Sequence, residues 1–219
     1  MRALKVEAPW GIDAIQVVEA PDPTPGPGEV LVRMRAVSLN YRDMLMVAGM
    51  YGRAPSGAGA ITPFSDGCGI VEAVGPGVNR MKVGDRVATL FFQRWVSGPP
   101  NLDKLSSSLG SPIPGAGREL AVFSQDGLSK VPAFLSDRQV ATLPCAALTA
   151  WRALFEDGDL RPGDTVVLQG TGGVSIFGLQ FAHAAGLRTL ITSSSDEKLE
   201  RARALGADHL VNYRQTPEW

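Results

Sequence analysis

Hydrophobic and polar positions change rhythm near residue 130 of this 219-residue chain. Before that point, short runs that alternate or are rich in β-branched residues recur at Met1–Val6, Ile15–Val18, Val30–Ala36, Gly69–Val74, Arg86–Leu90 and Glu119–Phe123. Turn formers punctuate them at Pro21–Gly28, Gly75-Pro76-Gly77 and Gly84-Asp85. The pattern predicts an irregular, mostly antiparallel β domain over residues 1–130. Pro99–Pro114 carries no such run and is expected to be a mobile loop. From Asp137 to Phe155 the spacing lengthens, with Val140, Leu143, Ala147, Trp151 and Leu154 three or four residues apart. That spacing predicts a helix opening a second domain over 131–219.

The second domain holds the most informative stretch. Val166, Val167 and Leu168 form an apolar β-branched run that ends in Gly170-Thr171-Gly172-Gly173-Val174-Ser175. A helix is expected over Val174–Ala185, with Val174, Phe177, Phe181 and Ala184 at helical spacing and Gly186 where a C-terminal cap belongs. Leu187–Thr192 reads as a second strand. Ser194-Ser195-Asp196-Glu197 has the capping-box pattern, opening a helix whose Leu199, Ala202 and Leu205 share a face before Gly206. His209–Tyr213 reads as a third strand. Strand, helix, strand, helix, strand implies parallel pairing with right-handed crossovers. A glycine turn between strand and helix lets backbone N–H groups approach a pyrophosphate at the positive end of the helix. Gly170, Thr171, Gly172, Gly173 and Val174 are the expected phosphate cradle; Ser175 stands where a third glycine is usual.

Composition narrows the partners. The chain is 44% hydrophobic and 20% charged with a net charge of −1, and it has no basic run. Neither nucleic acid nor an anionic membrane is an expected partner. No apolar stretch reaches the ~18–20 residues that span a bilayer, and MRALKVEAPW lacks a signal-peptide core. A cytoplasmic location is expected. Two cysteines, Cys68 and Cys145, supply neither a disulfide framework nor a thiolate-rich metal site. Cys145 follows Pro144 in an apolar run with no base near it in sequence, so it reads as a buried, inert thiol. His183 and His209 read as surface or core residues.

Five blocks carry a family resemblance: Pro27-Gly-Glu-Val-Leu-Val32, Asp66-Gly-Cys-Gly-Ile-Val-Glu-Ala-Val-Gly75, Val83-Gly-Asp-Arg-Val87, Leu143-Pro-Cys-Ala-Ala-Leu-Thr-Ala-Trp151 and the glycine turn. With them the chain resembles the medium-chain dehydrogenase/reductase superfamily, in which a GroES-like β-barrel domain precedes a Rossmann doubly wound parallel sheet. It is most similar to the zinc-free quinone oxidoreductase and enoyl reductase branch, which includes proteins labelled zinc-type alcohol dehydrogenase-like. Zinc-dependent members have a cysteine early in the first domain and Gly-His-Glu at the start of the second block. Here those places read Ser38-Leu39-Asn40-Tyr41 and Phe64-Ser65-Asp66-Gly67, and Pro99–Pro114 holds no cysteine. The expectation is a protein with no metal, since a catalytic zinc needs about three protein ligands. The resemblance places Asn40, Tyr41 and Asp43 beside a small-molecule substrate pocket and Thr149 near a nicotinamide, with Tyr41 or Tyr51 as proton donor. The alternatives are structural: Asn40 satisfying loop backbone, Asp43 capping a helix, the tyrosines packing.

The resemblance also bears on the cofactor. A carboxylate about 20 residues after the glycine turn favours NAD; here the second strand ends in serines. Ser193, Ser194, Lys198 and Tyr213 are the expected contacts of a 2′-phosphate, so NADP is expected over NAD. The alternative leaves Ser194 and Glu197 as a cap with Lys198 solvated. The chain ends after the third of six Rossmann strands, which leads to the expectation of either a piece of a longer protein, a homodimer in its full-length form, or a naturally short form. Two function classes stay open: the first part of an NADPH-dependent reductase of quinones, α,β-unsaturated carbonyls or aldehydes, and a non-catalytic nucleotide-binding or interaction module. The loops Gly49–Pro63 and Phe91–Gly117 offer no polar constellation that identifies a substrate.

Overall fold

A computed structural model describes residues 1–51 and 59–219; of the Gly49–Pro63 loop, residues 52–58 lie outside the described set. Two compact units divide the chain, Met1–Cys145 and Ala146–Trp219.

In the first unit β1 (Arg2–Val6) pairs antiparallel with β2 (Ile15–Glu19). A five-stranded antiparallel sheet has the order β6-β3-β4-β5-β7, built from β3 (Glu29–Ser38), β4 (Asp66–Val74), β5 (Arg86–Thr89), β6 (Leu120–Ser124) and β7 (Leu128–Lys130). Alternate residues of these strands point inward, and Val30, Val32, Val71, Val87, Ala121 and Phe123 meet in one core. Between β3 and β4 lies α1 (Tyr41–Val47). The expected strands are present; β7, only three residues long, is an addition.

Two expectations change here. Pro99–Pro114 is not a bare loop. Asn101 caps α2 (Leu102–Leu105) by accepting from the Lys104 N–H at 2.9 Å, and Lys104 Nζ donates to the carbonyls of Ser97 and Pro99 at 2.6 and 2.7 Å. Arg94 Nε donates to Asp103 Oδ1 at 3.0 Å, Phe92 bridges to Ser108, and Leu109 enters the main core. The division also falls at residue 145 instead of 130. Helix α3 (Asp137–Ala141) packs Val140 and Ala141 on Cys68 and Ala88 of the β sheet, so it belongs to the first unit.

The expected helix over 137–155 is also broken. Wide i→i+5 turns at Leu143–Ala147 and Arg152–Asp157 flank α4 (Leu148–Trp151).

The second unit has a three-stranded parallel sheet in the order β10-β9-β8, from β8 (Thr165–Leu168), β9 (Arg188–Ser193) and β10 (His209–Asn212). Helix α5 (Gly173–Ala184) joins β8 to β9 and α6 (Asp196–Ala204) joins β9 to β10. The buried positions of α5 are Gly178, Leu179 and Ala182, while Val174 and Ala184 are exposed. Phe177 and Phe181 form a second, aromatic face, with Trp151 edge-on to Phe181 at 5.6 Å. In α6, Leu199 and Ala202 are buried and Leu205 is not. The N-cap of α6 is Ser195, which accepts from the Lys198 N–H at 3.4 Å, not Ser194. No helix among the described residues is long and apolar enough to cross a membrane.

Candidate active site

In the first unit, β3 delivers the chain to Asn40, the N-cap of α1, whose N–H donates to Asp43 Oδ2 at 2.8 Å. The start of β4 supplies Asp66. Asp43 and Asp66 are 1% and 0% exposed. Asp66 Oδ1 accepts from Ser65 Oγ at 2.7 Å and Oδ2 from the Cys145 N–H at 2.9 Å. Burial pushes both carboxyls above the usual carboxylate range; hydrogen bonds from Asn40 to Asp43, and from Ser65 and Cys145 to Asp66, oppose it, as does the Arg42 guanidinium. Burial also pushes the Cys145 thiol up to about 11, reinforced by the Asp66 charge, and the Cys68 thiol up to about 11. Both thiols therefore stay protonated at neutral pH.

Arg42 completes this cluster. It is 8% exposed, donates Nη1–H to the Leu109 carbonyl at 2.8 Å, and lies 4.4 Å from the Phe91 ring centre and 4.9 Å from that of Tyr51. Tyr51 is 43% exposed and Tyr41, the first residue of α1, is 74% exposed. Of the expected residues, Asn40 and Asp43 join the cluster, Tyr51 covers it, and Tyr41 faces solvent. Sequence reasoning missed Arg42, Ser65, Asp66 and Cys145 as members. A lone arginine on a helix reads as a solvated charge, and only the long-range meeting of β4 with Cys145 brings the others in.

Among the described residues no group of three or more His, Cys, Asp or Glu side chains is placed to hold a metal ion. Both Asp66 oxygens are already accepting protein hydrogen bonds, and Arg42 exerts its positive charge on Asp43, Asp66 and Cys145. That donor set does not suit a catalytic zinc, which wants about three anionic or imidazole ligands and an open position.

In the second unit the glycine turn has the shape a phosphate needs. Gly170 has φ +78°, a left-handed conformation that a side chain would strain, and nothing lies within 4 Å of a Cβ placed on Gly170 or Gly172. Gly170 N–H donates to Thr192 Oγ1 at 3.1 Å, and the Thr171 and Ser193 hydroxyls are 3.4 Å apart, tying the turn to the end of β9. Gly172 caps α5, so the first-turn N–H groups from Gly173 and Val174 onward have no intrahelical acceptor. Tyr213 N–H donates to the Ser193 carbonyl at 3.1 Å, which brings Tyr213 beside the serine edge. Asp196, the nearby acid, accepts from Asn212 Nδ2 at 2.6 Å and Gln215 Nε2 at 2.8 Å. Lys198 is exposed one turn into α6, and Thr149 is exposed on α4. These residues fit a dinucleotide carrying a 2′-phosphate: an open glycine turn, a serine edge, and a neighbouring acid engaged by amides.

The same two units are found in known proteins. Residues 26–133 match the alcohol dehydrogenase GroES-like domain and residues 173–219 the zinc-binding dehydrogenase family. A zinc-type alcohol dehydrogenase-like protein of Schizosaccharomyces pombe is 46% identical over 198 residues, covering 88% of this chain and 56% of that protein. A Sinorhizobium meliloti structure described as an alcohol dehydrogenase is 43% identical, with a TM-score of 0.90 over 100% of this chain and 64% of its own. The chain belongs to the medium-chain dehydrogenase/reductase superfamily. Another superfamily relative, a quinone oxidoreductase of Pseudomonas aeruginosa, is 37% identical over 192 residues, covering 86% of this chain and 51% of that protein. A mycobacterial superfamily structure complexed with NADPH is 30% identical, with a TM-score of 0.77 over 97% of this chain and 58% of its own. The chain thus spans a little over half the length of these two curated relatives.

Proposed function

We propose that the protein to which this chain belongs is an NADPH-dependent reductase of quinones or α,β-unsaturated carbonyls that works without zinc. The relatives carry alcohol dehydrogenase and quinone oxidoreductase names alike, so the choice rests on this chain's own residues. The observation that carries it is the occupation of both Asp66 oxygens by Ser65 and Cys145 beside a buried guanidinium. Alcohol oxidation at neutral pH needs a Lewis acid to make an alkoxide; a conjugated carbonyl is already electrophilic. NADPH, when bound, supplies a hydride. The chain's residues hold and orient: the turn at Gly170–Val174 takes the pyrophosphate, and Ser193, Ser194, Lys198 and Tyr213 take the 2′-phosphate.

Lys198→Ala tests the cofactor. Loss of one charge-assisted contact at an exposed position is expected to weaken NADPH binding by about 1.5 kcal/mol, roughly tenfold, while NADH binding stays level. Fluorescence titration of both nucleotides reads this directly, and equal weakening of the two counts against a 2′-phosphate role. Elemental analysis tests the metal: protein purified without chelator is expected to hold zinc well below one equivalent. A stoichiometric zinc that survives dialysis overturns the metal-free reading.

A further inference from the structure

Arginine side chains in this protein show what their outer edge is used for. Arg2, Arg33, Arg152 and Arg203 each turn Nε–H and Nη2–H toward one carboxylate: Glu119, Glu72, Asp157 and Glu200. All four sit at the surface. Arg42 has the same edge, and there it is buried: its Nε and Nη2 are without a hydrogen-bond partner among the described residues. Its position is nonetheless fixed. Leu109 O takes Nη1, and the Phe91 and Tyr51 rings lie against the guanidinium. Two parallel donors, held rigid and stripped of water, strongly favour an oxygen that carries or gains negative charge. Asp43 and Asp66 are the acids nearby, and neither makes an ion pair with Arg42. Burial biases both toward the neutral acid, which lessens their opposition to an arriving anion.

We propose that Arg42 is an oxyanion-binding residue whose Nε and Nη2 hold the carbonyl oxygen of the substrate as it becomes anionic. The inference rests on the reductase reading given above. When a hydride from the reduced nicotinamide forms a C–H bond at the β-carbon, the C=C π pair shifts and the carbonyl π pair moves onto oxygen. The substrate would become an enolate, its added electron pair coming from the reduced cofactor, which would be oxidised. Arg42 stabilises that oxygen, and a proton from solvent completes the product. Tyr51 is a half-exposed side chain whose ring lies against the guanidinium, and a rotamer change moves it away. The substrate class is a conjugated carbonyl or quinone whose oxygen reaches the Nε and Nη2 edge.

The test uses the whole protein with no cofactor added and 4-nitrophenolate as a stable anionic probe, with neutral 4-nitroanisole as its control. Calorimetric titration is expected to show phenolate binding to the wild type that falls at least about tenfold in Arg42→Gln. Nitroanisole binding, NADPH binding and thermal unfolding should be little changed. Arg42→Lys keeps the charge but not the paired edge, and it is expected to lose most of the phenolate preference too. It carries the comparison if Arg42→Gln does not fold. Absence of phenolate binding to the wild type, or the same affinity in wild type and variants, overturns the proposal; equal losses for phenolate and anisole do the same. With cyclohexenone and NADPH, Arg42→Gln should lower kcat while the KM for NADPH holds. If the wild type reduces neither enones nor quinones yet the phenolate difference persists, the reductase reading fails and the anion site stands.

Discussion

Asp66→Ala is expected to remove about 2–4 kcal/mol of folding stability, whereas Asp66→Asn at pH 7 should cost less than about 1 kcal/mol. The alanine leaves the Ser65 hydroxyl and the Cys145 N–H without an acceptor in a fully buried place, and each unmade bond carries a desolvation cost. Asparagine keeps the shape. Its Oδ1 can accept from Cys145 and its amide can donate to the Ser65 oxygen. The two carboxamide roles replace a carboxyl that burial already biases toward its protonated form.

The same residue fixes a pH dependence. The Asp66 carboxyl is raised in the folded protein, so it keeps its proton where the unfolded chain, with a value of about 3.9, has lost it. Within that window the unfolded state binds fewer protons, and stability falls as pH rises through the folded value. Asp85, Glu119, Asp137 and Asp208 are lowered, chiefly by hydrogen bonds from Lys130, Arg2, Arg86 and Thr189, and they act oppositely by losing stability as pH falls. Asp85, Glu119, Asp137 and Asp208 remain in Asp66→Asn, so the difference between wild type and variant reports Asp66 together with the effect of its charge on Asp43. Melting curves from pH 4 upward should show the variant gaining on the wild type as pH rises; a flat difference contradicts a raised Asp66.

Gly75→Ala should cost about 3 kcal/mol or more, a second large effect with a different origin. Gly75 follows the last residue of β4, Val74, which pairs with Val30 near the start of β3. Its N–H donates to the Glu29 carbonyl at 2.8 Å. A Cβ there would overlap the Gly26 carbonyl oxygen, lie 2.8 Å from its carbon and 3.2 Å from the Glu29 oxygen. All are backbone atoms, so no side-chain rotation relieves the clash. Gly77→Ala is the control: nothing lies within 4 Å of its Cβ, and only its φ of +76° opposes the change, at about 1 kcal/mol. Urea midpoints of the two variants should differ accordingly, and equal shifts would contradict the overlap argument. The clash falls at the start of β3, and Asn40 lies past the strand's other end.

The strands and the glycine turn were legible because their signals are local. Alternation marks a face, and glycine marks a left-handed turn such as that at Gly170. What the sequence hid depends on distant partners. Leu128–Lys130 is a strand only because Val87–Thr89 lies beside it. Helical spacing in α5 marks the aromatic side through Phe177 and Phe181 but not the buried aliphatic one through Leu179 and Ala182. Arg94 and Lys104 look solvated by composition, yet they bind the carboxylate and carbonyls that fold Pro99–Pro114. Asn40 and Asp43 could be named from the family pattern; Arg42 could not, since its meaning comes from Leu109, a residue brought to it by that folded lobe.

Leu109 joins two mechanical scales. Its side chain is anchored in the core of the β unit, its N–H donates to the Phe91 carbonyl at 3.0 Å, and its own carbonyl steers Arg42. The lobe that carries it is fastened by exposed side-chain clasps, which open at a lower free energy than a buried sheet. On warming the exposed clasps are expected to open first, while Leu109, held in the core, keeps the guanidinium in its slot as long as the strands are paired. The aim of Arg42 is thus expected to be lost with the fold and not before it.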